Sequence, residues 1–486
     1  MVREHVVERL ENLIDGIRKN SSAPIFLWNM AEPARLAAGF ADASLEFSEQ
    51  QFVAEVNQGI SGLCRRSQNT WIFDFHRTAY EVGLKHFYDL RLSYLARMPF
   101  SQRAQAHLAR NHARCFALLK MRPKKCLVLD LDNTLWGGVV GEDGLSGIEL
   151  GEDYPGSAYV DFQRYLARLR NRGILLAIAS KNNEKDALDV LTNHPSSILR
   201  PEDFSELQIH WKDKALSIRN IAANLNIALD SITFFDDNPA EREWVKSQLP
   251  EVHVFDTGTN PIGYVDVIES SGLFDTLVLT PEDTERADHY RIERQRRISS
   301  RSFENPEDFL RSLDTIISHE LLDTESPQFR RVLQLLGRSN QFNLTTRRHT
   351  ADELRRLLEA GGIGVTVSVS DRFGSHGLVG FALAVPPSGH DSKEDWRIDT
   401  FLLSCRVMGR RIESALLRLL VDRVRGRARD VAIIGEYIPT PKNSPSRNFY
   451  PEHAFEKIDE SATQVRYLLD SSRIPELPDL YSLKAE

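Results

Sequence analysis

The sequence of 486 residues is poor in cysteine and has no long apolar run. Its four cysteines include no CxxC pair, which argues against a disulfide framework and against a four-thiolate zinc site. The longest apolar run, Ile174 to Ala179, is far shorter than a membrane span, and the N-terminal stretch is charged and helical. We therefore expect a reduced, cytoplasmic protein that does not bind a membrane.

Net positive charge is also lacking. The chain has 61 basic and 69 acidic residues, which gives −8 and argues against a nucleic acid as a general partner. We find no internal repeats and no low-complexity tracts. The length is about three times that of a typical domain, so we expect several domains, each with its own core.

Three stretches differ in their hydrophobic pattern. Residues 1–120 form a mixed helical and α/β segment, and their pattern indicates no function. In residues 121–300, short aliphatic runs alternate with stretches whose apolar residues recur at helical spacing, which predicts a parallel α/β domain. A polar, arginine-rich stretch from Thr280 to Asn305 is typical of a solvated helix or linker, and residues 301–486 form a second α/β unit with hairpin-like character. We place the domain boundaries near 120 and 300.

Acidic side chains follow the strands of the parallel domain. Asp130 and Asp132 end the apolar run CLVL, and strand alternation points both carboxylates to the same side. Ser180, Lys214 and the pair Asp236 and Asp237 follow later strands. Because the carboxyl ends of parallel strands meet at one edge of a sheet, we expect one acidic, magnesium-sized site with a hydroxyl and an ammonium nearby.

The segments CLVLDLDNTLWGG, AIASKNN, HWKDKALSI and ITFFDDNPAERE resemble the four motifs of the haloacid dehalogenase (HAD) superfamily in type, order and spacing. That family has a Rossmann-like parallel sheet. The resemblance implies that Asp130 is a nucleophile that accepts a phosphoryl group, that Asp132 is the general acid and base, and that Lys214 offsets charge. It implies Mg²⁺ held by Asp130, Asp132, Asp236 and Asp237, and substrate contacts from Thr134, Ser180, Lys181 and Asn238. The competing interpretation is that these acids only cap loops and helices.

A glycine-rich stretch, WGGVVGEDG, follows the first motif. It predicts a tight β-turn flap, which would also shape the entrance to the site.

A second candidate site lies in SCRVMGRRIE, residues 404–413, where a strand passes into an amphipathic helix. Arg406, Gly409 and Arg410 near a helix N-terminus predict an anion site. The segment resembles motif A of the GNAT acyltransferase fold, in which backbone amides hold the pyrophosphate of acyl coenzyme A. Arg411 stands where that family has a small residue, so a single phosphodiester, as on a phosphopantetheine arm, would suit the loop better.

Cys405 lies beside Arg406 and this helix N-terminus, an electropositive setting that lowers the pKa of a thiol. We therefore regard Cys405 as the best thiol nucleophile of the chain, with simple packing as the alternative. His376, in DRFGSHGLVG, could act as its base, although a lone loop histidine is usually a surface residue.

The whole pattern, with NQFNLTTRR, DRFGSHGLVG, LSCRVMGR and YIPTPKN after the HAD motifs, resembles the FkbH-like family of polyketide pathways. The resemblance implies a HAD domain followed by a GNAT-like α+β domain. It implies conversion of 1,3-bisphosphoglycerate into a glyceryl thioester on the phosphopantetheine arm of an acyl carrier protein. Two alternatives stay open: a phosphatase fused to a conventional acetyl-CoA-dependent N-acetyltransferase, and a noncatalytic module that docks a carrier protein.

Two further sets of residues are candidates for contacts with the carrier. Polar residues could line a channel for its arm, although each alone is more simply explained as a turn or cap residue: Asn340, Asn343, Thr345, Arg347, Thr440, Lys442 and Asn443. Carrier proteins are usually acidic, and a basic run could dock one or could be a solvated helix end: Arg418, Arg423, Arg425, Arg427 and Arg429.

Overall fold

The computed structural model divides the chain into two compact units, Met1–Tyr290 and Arg291–Glu486. It describes residues 2–121, 123–300, 302–338, 342–387, 395–404, 407–441, 443–461 and 463–485. The finer division of the first unit at residue 120 stays a prediction.

The first unit begins with a helical segment that contains two short strands, β1 and β2, paired in parallel. An aromatic cluster on Phe73 and Phe87 and an aliphatic cluster on Val56 and Ile60 form its two small cores. Its elements are α1 (Val2–Arg18), β1 (Ile25–Trp28), α2 (Glu49–Arg66), β2 (Thr70–Phe73), α3 (Phe75–Val82), α4 (Leu84–Phe87), α5 (Leu90–Ala96) and α6 (Gln102–Lys120).

A five-stranded parallel sheet follows, with the strand order β5-β4-β3-β6-β7. Its strands are β3 (Cys126–Leu129), β4 (Leu175–Ser180), β5 (Glu206–Ile209), β6 (Ile232–Phe235) and β7 (His253–Val254). The helices are α7 (Val140–Asp143), α8 (Gly156–Asn171), α9 (Glu184–Asn193), α10 (Lys214–Leu225), α11 (Pro239–Gln248), α12 (Tyr264–Ser271) and α13 (Pro281–Ser300), the last of which crosses the division between the units.

Both faces of this sheet are covered, as the unbroken apolar runs predict. Leu127 and Leu129 of β3 belong to the core cluster on the α8 side, whereas Cys126 and Val128 belong to the cluster that packs against α10. Burial raises the pKa of the Cys126 thiol.

The second unit is built on a nine-stranded, mostly antiparallel sheet with the order β14-β15-β13-β12-β11-β10-β8-β16, and β9 pairs with β12. Its strands are β8 (Thr315–Leu322), β9 (Phe342–Asn343), β10 (Ile363–Asp371), β11 (Gly374–Val385), β12 (Trp396–Leu403), β13 (Ile433–Tyr437), β14 (Glu456–Glu460), β15 (Val465–Leu469) and β16 (Tyr481–Ala485). The helices are α14 (Pro306–Ser312), α15 (Phe329–Arg338), α16 (Ala351–Glu359), α17 (Ile412–Arg427) and α18 (Phe449–Glu452).

Strands β12 and β13 run parallel but pair only from Trp396 to Ile398. Beyond that point the segment of β9 lies between them, since the Leu344 amide donates to Phe401 at 3.0 Å and the Ile438 amide donates to Leu344 at 2.8 Å. The chain itself therefore fills the gap where these two strands diverge.

The polar residues that were predicted to line a channel instead hold the β9 segment between β12 and β13. The Asn443 side chain donates to the carbonyls of Asn343 and Ile438, both at 2.9 Å, and Thr345 Oγ1 donates to the Asp399 carbonyl at 2.8 Å. Arg347 pairs with Asp399 and Glu436, and Thr440 also bonds Asn443. The plainer interpretation, that they satisfy turns, holds for these; Asn340 and Lys442 lie outside the described residues.

The arginine-rich stretch forms helix α13, and it is not wholly solvated. Arg296 is 2% exposed, and its guanidinium donates to both oxygens of Asp371 at 2.7 and 2.8 Å. The expectation of a solvated helix is therefore wrong at Arg296, because a carboxylate from β10 neutralises its charge. Among the described helices none is both long and apolar enough to cross a membrane.

Candidate active site

The predicted acidic residues meet at the carboxyl edge of the parallel sheet. Asp130 directly follows β3, Asp236 and Asp237 follow β6, and Lys214 is the first residue of α10. The Asp130 amide donates to the Phe235 carbonyl at 3.0 Å, so the sheet register itself sets Asp130 beside Asp236. The side chains of Asp130, Asp236 and Lys214 are almost fully buried.

Lys214 joins the two buried aspartates. Its Nζ lies 3.0 Å from Asp130 Oδ2 and 2.6 Å from Asp236 Oδ2. Burial alone would lower the pKa of Lys214, but the two carboxylates outweigh that effect and raise it. Lys214 is thus a fixed positive charge at the floor of the site.

Asp130, Asp236 and Asp237 each offer one carboxylate oxygen within 4.8 Å of the others. Burial, followed by repulsion from Asp130, raises the pKa of Asp236 and raises that of Asp237 to about 6. Three carboxylates and one ammonium carry a net charge of −2 when all four groups are ionised. So much buried negative charge favours a bound divalent cation.

The donor set fits Mg²⁺. Asp130 Oδ1 is buried and has no hydrogen-bond partner among the described residues, whereas its other oxygen contacts Lys214. A buried carboxylate oxygen without a donor is costly unless a ligand takes its place. Carboxylate oxygens are also the ligands that Mg²⁺ prefers.

Asp132 departs from the predicted ligand set. Its Oδ1 accepts from Trp136 Nε1 at 2.9 Å and from the Val140 amide at 3.1 Å, and its Oδ2 accepts from Asn182 Nδ2 at 2.8 Å. Both oxygens of Asp132 therefore accept hydrogen bonds from the protein, and Asp132 is not in the group of carboxylates that lie within 4.8 Å of one another. Its role as a metal ligand stays a prediction.

The environment of Asp132 suits proton transfer. Burial raises its pKa, and the hydrogen bonds from Val140, Trp136 and Asn182 oppose that rise. Trp136 is fully buried, and α7 contributes the Val140 amide. The flap predicted after the first motif therefore supplies hydrogen-bond donors to Asp132. A β-bridge between Gly137 and Glu149 also closes this flap.

Arg242 is a residue that the sequence interpretation missed. It is buried, and its Nη1 donates to the carbonyls of Asp236 at 3.0 Å and Asp237 at 2.7 Å, and to Thr257 Oγ1 at 3.2 Å. It therefore fixes the loop that carries two of the candidate ligands. Arg242 lies four residues after Asn238, the N-cap of α11. Because residues four apart lie on the same face of a helix, this spacing could have indicated that the Arg242 side chain lies near the start of α11.

The other predicted substrate-binding residues of this domain differ in whether their side chains already have partners within the protein. Ser180, the last residue of β4, and Thr134 are buried, and Thr134 Oγ1 has no hydrogen-bond partner among the described residues. Lys181 pairs with Glu241 at 2.5 Å. Asn238 caps α11 through the Ala240 amide at 2.9 Å, so its side chain already has a structural partner.

In the second unit, Cys405 and Arg406 lie outside the described residues. Gly409 has a φ of +77°, which fits its place in the turn before α17. Arg410 is not free for an anion, because its guanidinium binds Asp371 at 3.1 Å and Glu293 at 2.9 Å. The role of Arg410 as a substrate ligand stays a prediction.

His376 is buried in β11 and not on a surface loop. Its Nε2 lies 3.0 Å from Arg410 Nη1, and an arginine only donates, so this nitrogen is the acceptor. Burial is the main cause that lowers the pKa of His376. The nitrogen that a general base would use is thus already occupied.

One solved structure resembles this chain in sequence as well as in fold. The N-terminal part of protein BF1531 from Bacteroides fragilis, described as containing a phosphatase domain complexed with Mg, is 28% identical over 57% of this chain and 74% of that one, with a TM-score of 0.51. This similarity supports a HAD-like fold for the parallel-sheet part of the first unit. The predicted fold class, a HAD-like parallel sheet followed by an α+β domain, is confirmed.

Other solved structures are GNAT proteins. The GNAT domain of S. lividans PAT is 13% identical over 31% of this chain and 89% of its own, with a TM-score of 0.26. Ribosomal-protein-alanine N-acetyltransferase from Brucella melitensis is 13% identical over 31% of this chain and 98% of its own, with a TM-score of 0.24. Similarity at this level concerns fold and not activity. No family model and no curated protein matches the sequence.

Proposed function

We propose that the first unit removes phosphate from a phosphomonoester by Mg²⁺-dependent transfer to Asp130. The observation that carries this proposal is the buried group of Asp130, Asp236 and Asp237, with Lys214 within 3.0 Å of two of them. Only a phosphoryl group and a cation together would use both the excess negative charge and the fixed ammonium.

The residues would divide the chemistry as follows. An Asp130 oxygen attacks phosphorus, the bond from phosphorus to the substrate oxygen breaks, and Asp132 protonates that oxygen. Asp132 then takes a proton from water as the water attacks the aspartyl-phosphate, which releases inorganic phosphate. Asp130, Asp236 and Asp237 would hold Mg²⁺, which would offset phosphoryl charge, and the Lys214 ammonium would contribute a further positive charge.

For the whole chain we propose the activity that the FkbH-like resemblance implies, glyceryl transfer from 1,3-bisphosphoglycerate to an acyl carrier protein. The Cys405 thiolate would attack the C1 carbonyl of the acyl phosphate and expel phosphate. The carrier's phosphopantetheine thiol would then take the acyl group and release Cys405. The phosphate at C3 is an unactivated ester and would need the Asp130 site.

Two observations bear on the acyl-transfer half. The Arg410 guanidinium binds both His376 and Asp371, which supports the loop before α17. Arg411, whose guanidinium pairs with Glu307 at 3.2 Å, stands at the N-cap of α17. Docking of the carrier at the basic run stays a prediction, and there Arg418 pairs with Asp422 at 2.8 Å.

Incubation with 1,3-bisphosphoglycerate, Mg²⁺ and holo carrier, read by intact-mass spectrometry, tests the proposal. We expect a glyceryl thioester on the carrier with wild type, a phosphoglyceryl product with Asp130→Asn, and no acylated enzyme with Cys405→Ala. Covalent glyceryl on Cys405→Ala would contradict the thiol assignment. Acetyl transfer from acetyl-CoA with no glyceryl product would favour the fused acetyltransferase instead.

A further inference from the structure

An ion pair crosses the carboxyl edge of the parallel sheet at the candidate active site. Lys181 directly follows β4, Glu241 lies in the first turn of α11, the helix after β6, and Lys181 Nζ lies 2.5 Å from Glu241 Oε1. In the strand order, β4 and β6 are the two neighbours of β3. A contact between the segments that follow β4 and β6 therefore passes across the end of β3, where Asp130 lies. We call Lys181 and Glu241 the bridging pair.

The loop that carries Lys181 also adjoins the proposed proton donor. Lys181 lies between Ser180, the last residue of β4, and Asn182, whose Nδ2 donates to Asp132 Oδ2 at 2.8 Å. In the proposed reaction Asp132 protonates the oxygen of the leaving group. We therefore expect a substituent of the leaving group close to that oxygen to lie beside the bridging pair.

The ion pair leaves one oxygen of Glu241 unsatisfied. Oε1 binds Lys181, whereas Oε2 is buried and has no hydrogen-bond partner among the described residues. A buried carboxylate oxygen without a donor is costly, so Oε2 points to a ligand that donates a hydrogen bond. The Lys181 side chain is 37% exposed and can rotate aside to admit such a ligand.

The charges of the bridging pair favour an uncharged ligand. Because the pair is neutral as a whole, it offers neither a second anion nor a cation a net attraction. An aliphatic substituent would leave Glu241 Oε2 without a donor. A hydroxyl group is neutral, can accept a hydrogen bond from Lys181 Nζ and can donate one to Glu241 Oε2. A hydroxyl therefore satisfies both members of the pair.

We propose that the bridging pair recognises a hydroxyl group next to the phosphoester, so that the Asp130 site selects phosphomonoesters of polyols over those of simple alcohols. This inference rests on the proposed phosphatase activity and names its class of substrate. Lys181 and Glu241 bind the leaving group, and the transfer of phosphorus and of protons stays with Asp130 and Asp132.

The test uses the full chain with Mg²⁺ and two esters that differ by one hydroxyl, racemic propane-1,2-diol 1-phosphate and n-propyl phosphate. For the wild type we expect kcat/KM for the diol ester to exceed that for the propyl ester at least about tenfold, because the propyl ester leaves Glu241 Oε2 unpaired. In Glu241→Leu, which has no carboxylate, this ratio should fall to about one. Glu241→Gln keeps an oxygen that accepts a hydrogen bond and should retain part of the preference.

Glu243→Leu is the matched control for the loss of charge. Glu243 lies on the same helix, its side chain is 73% exposed, and it pairs with Lys246 at 2.7 Å. Its replacement removes an equal charge from α11 without touching the bridging pair. The ratio of the two esters should stay as it is in the wild type.

Several outcomes would overturn the inference. They are equal rates of the wild type on the two esters, a ratio that Glu241→Leu leaves unchanged, an equal loss on both esters in Glu241→Leu, and a ratio that Glu243→Leu lowers as much. Hydrolysis of p-nitrophenyl phosphate but of neither alkyl ester would also overturn it, while leaving the proposed phosphatase intact. Hydrolysis of none of the three esters would instead refute the proposed function itself.

Discussion

Replacement of Arg242 by methionine should weaken Mg²⁺ binding without removing a metal ligand. The guanidinium donates to the carbonyls of Asp236 and Asp237 and to Thr257 Oγ1, and so fixes the loop between β6 and α11. Methionine keeps much of the buried volume but supplies no donor. The change therefore isolates the contribution of these hydrogen bonds.

The structure limits the size of the effect. The Asp236 carbonyl keeps a donor in the variant, because Thr257 Oγ1 lies 2.9 Å from it, whereas the Asp237 carbonyl loses the bond at 2.7 Å. One partly buried carbonyl without a donor costs about 1–3 kcal/mol of stability. Loss of a residue that orients metal ligands typically weakens metal binding by about 10–100-fold.

Isothermal titration with Mg²⁺ and urea unfolding of the full chain measure the two effects separately. Arg219→Met is the control, since Arg219 is exposed on the adjacent helix α10 and donates to the Gln248 carbonyl at 3.1 Å. A variant Arg242→Met that binds Mg²⁺ as tightly as the wild type, with only its stability reduced, would refute the positioning role.

Three further changes have defined outcomes. Lys214→Met should lower kcat for phosphate release by about 10²–10³-fold, because it removes the ammonium within 3.0 Å of Asp130, and a steady-state phosphate assay measures this. Asn182→Ala should lower kcat about 10-fold with little change in KM, because Asp132 loses its donor at 2.8 Å; a change in KM alone would contradict this role. Arg296→Met should cost the second unit about 1.5–3 kcal/mol in urea unfolding, because Asp371 loses the charged donor Arg296 and keeps Arg410, whereas Arg311→Met at an exposed pair should cost little. Burial alone would raise the pKa of Asp371, but the hydrogen bonds and charge of Arg296, together with the Phe373 amide, lower it. This stabilisation is therefore present above the unfolded pKa of about 4 and is lost as the pH falls from there through the lower folded pKa.

The acidic site could be predicted from the sequence because a parallel sheet leaves little freedom at its edge. Strand alternation and the common direction of β3 and β6 bring Asp130, Asp236 and Asp237 together whatever the loops do. The same alternation placed Asp132 on the side of Asp130. Strand alternation could not show that Trp136 and Val140 would donate hydrogen bonds to the Asp132 carboxylate, because the conformation of the flap determines where those donors lie.

The second unit was less predictable because its charged groups find partners far along the chain. Arg296 reaches Asp371 across 75 residues, and Arg410 reaches the same carboxylate across 39. No local pattern distinguishes such a buried pair from a solvated arginine. For the same reason the strand pairing that brings β9 against β12 could not be predicted from the polar stretch in which β9 lies.

The most direct test of the central claim is detection of a phosphoryl group on Asp130 itself. The full chain would be mixed with Mg²⁺ and a phosphomonoester, quenched in acid within a single turnover, and digested for mass spectrometry. We predict that the peptide containing Asp130 gains the mass of one phosphoryl group, and that Asp130→Asn abolishes this modification together with phosphate release. Phosphate release by a wild-type protein that never carries phosphate on this peptide would contradict the account.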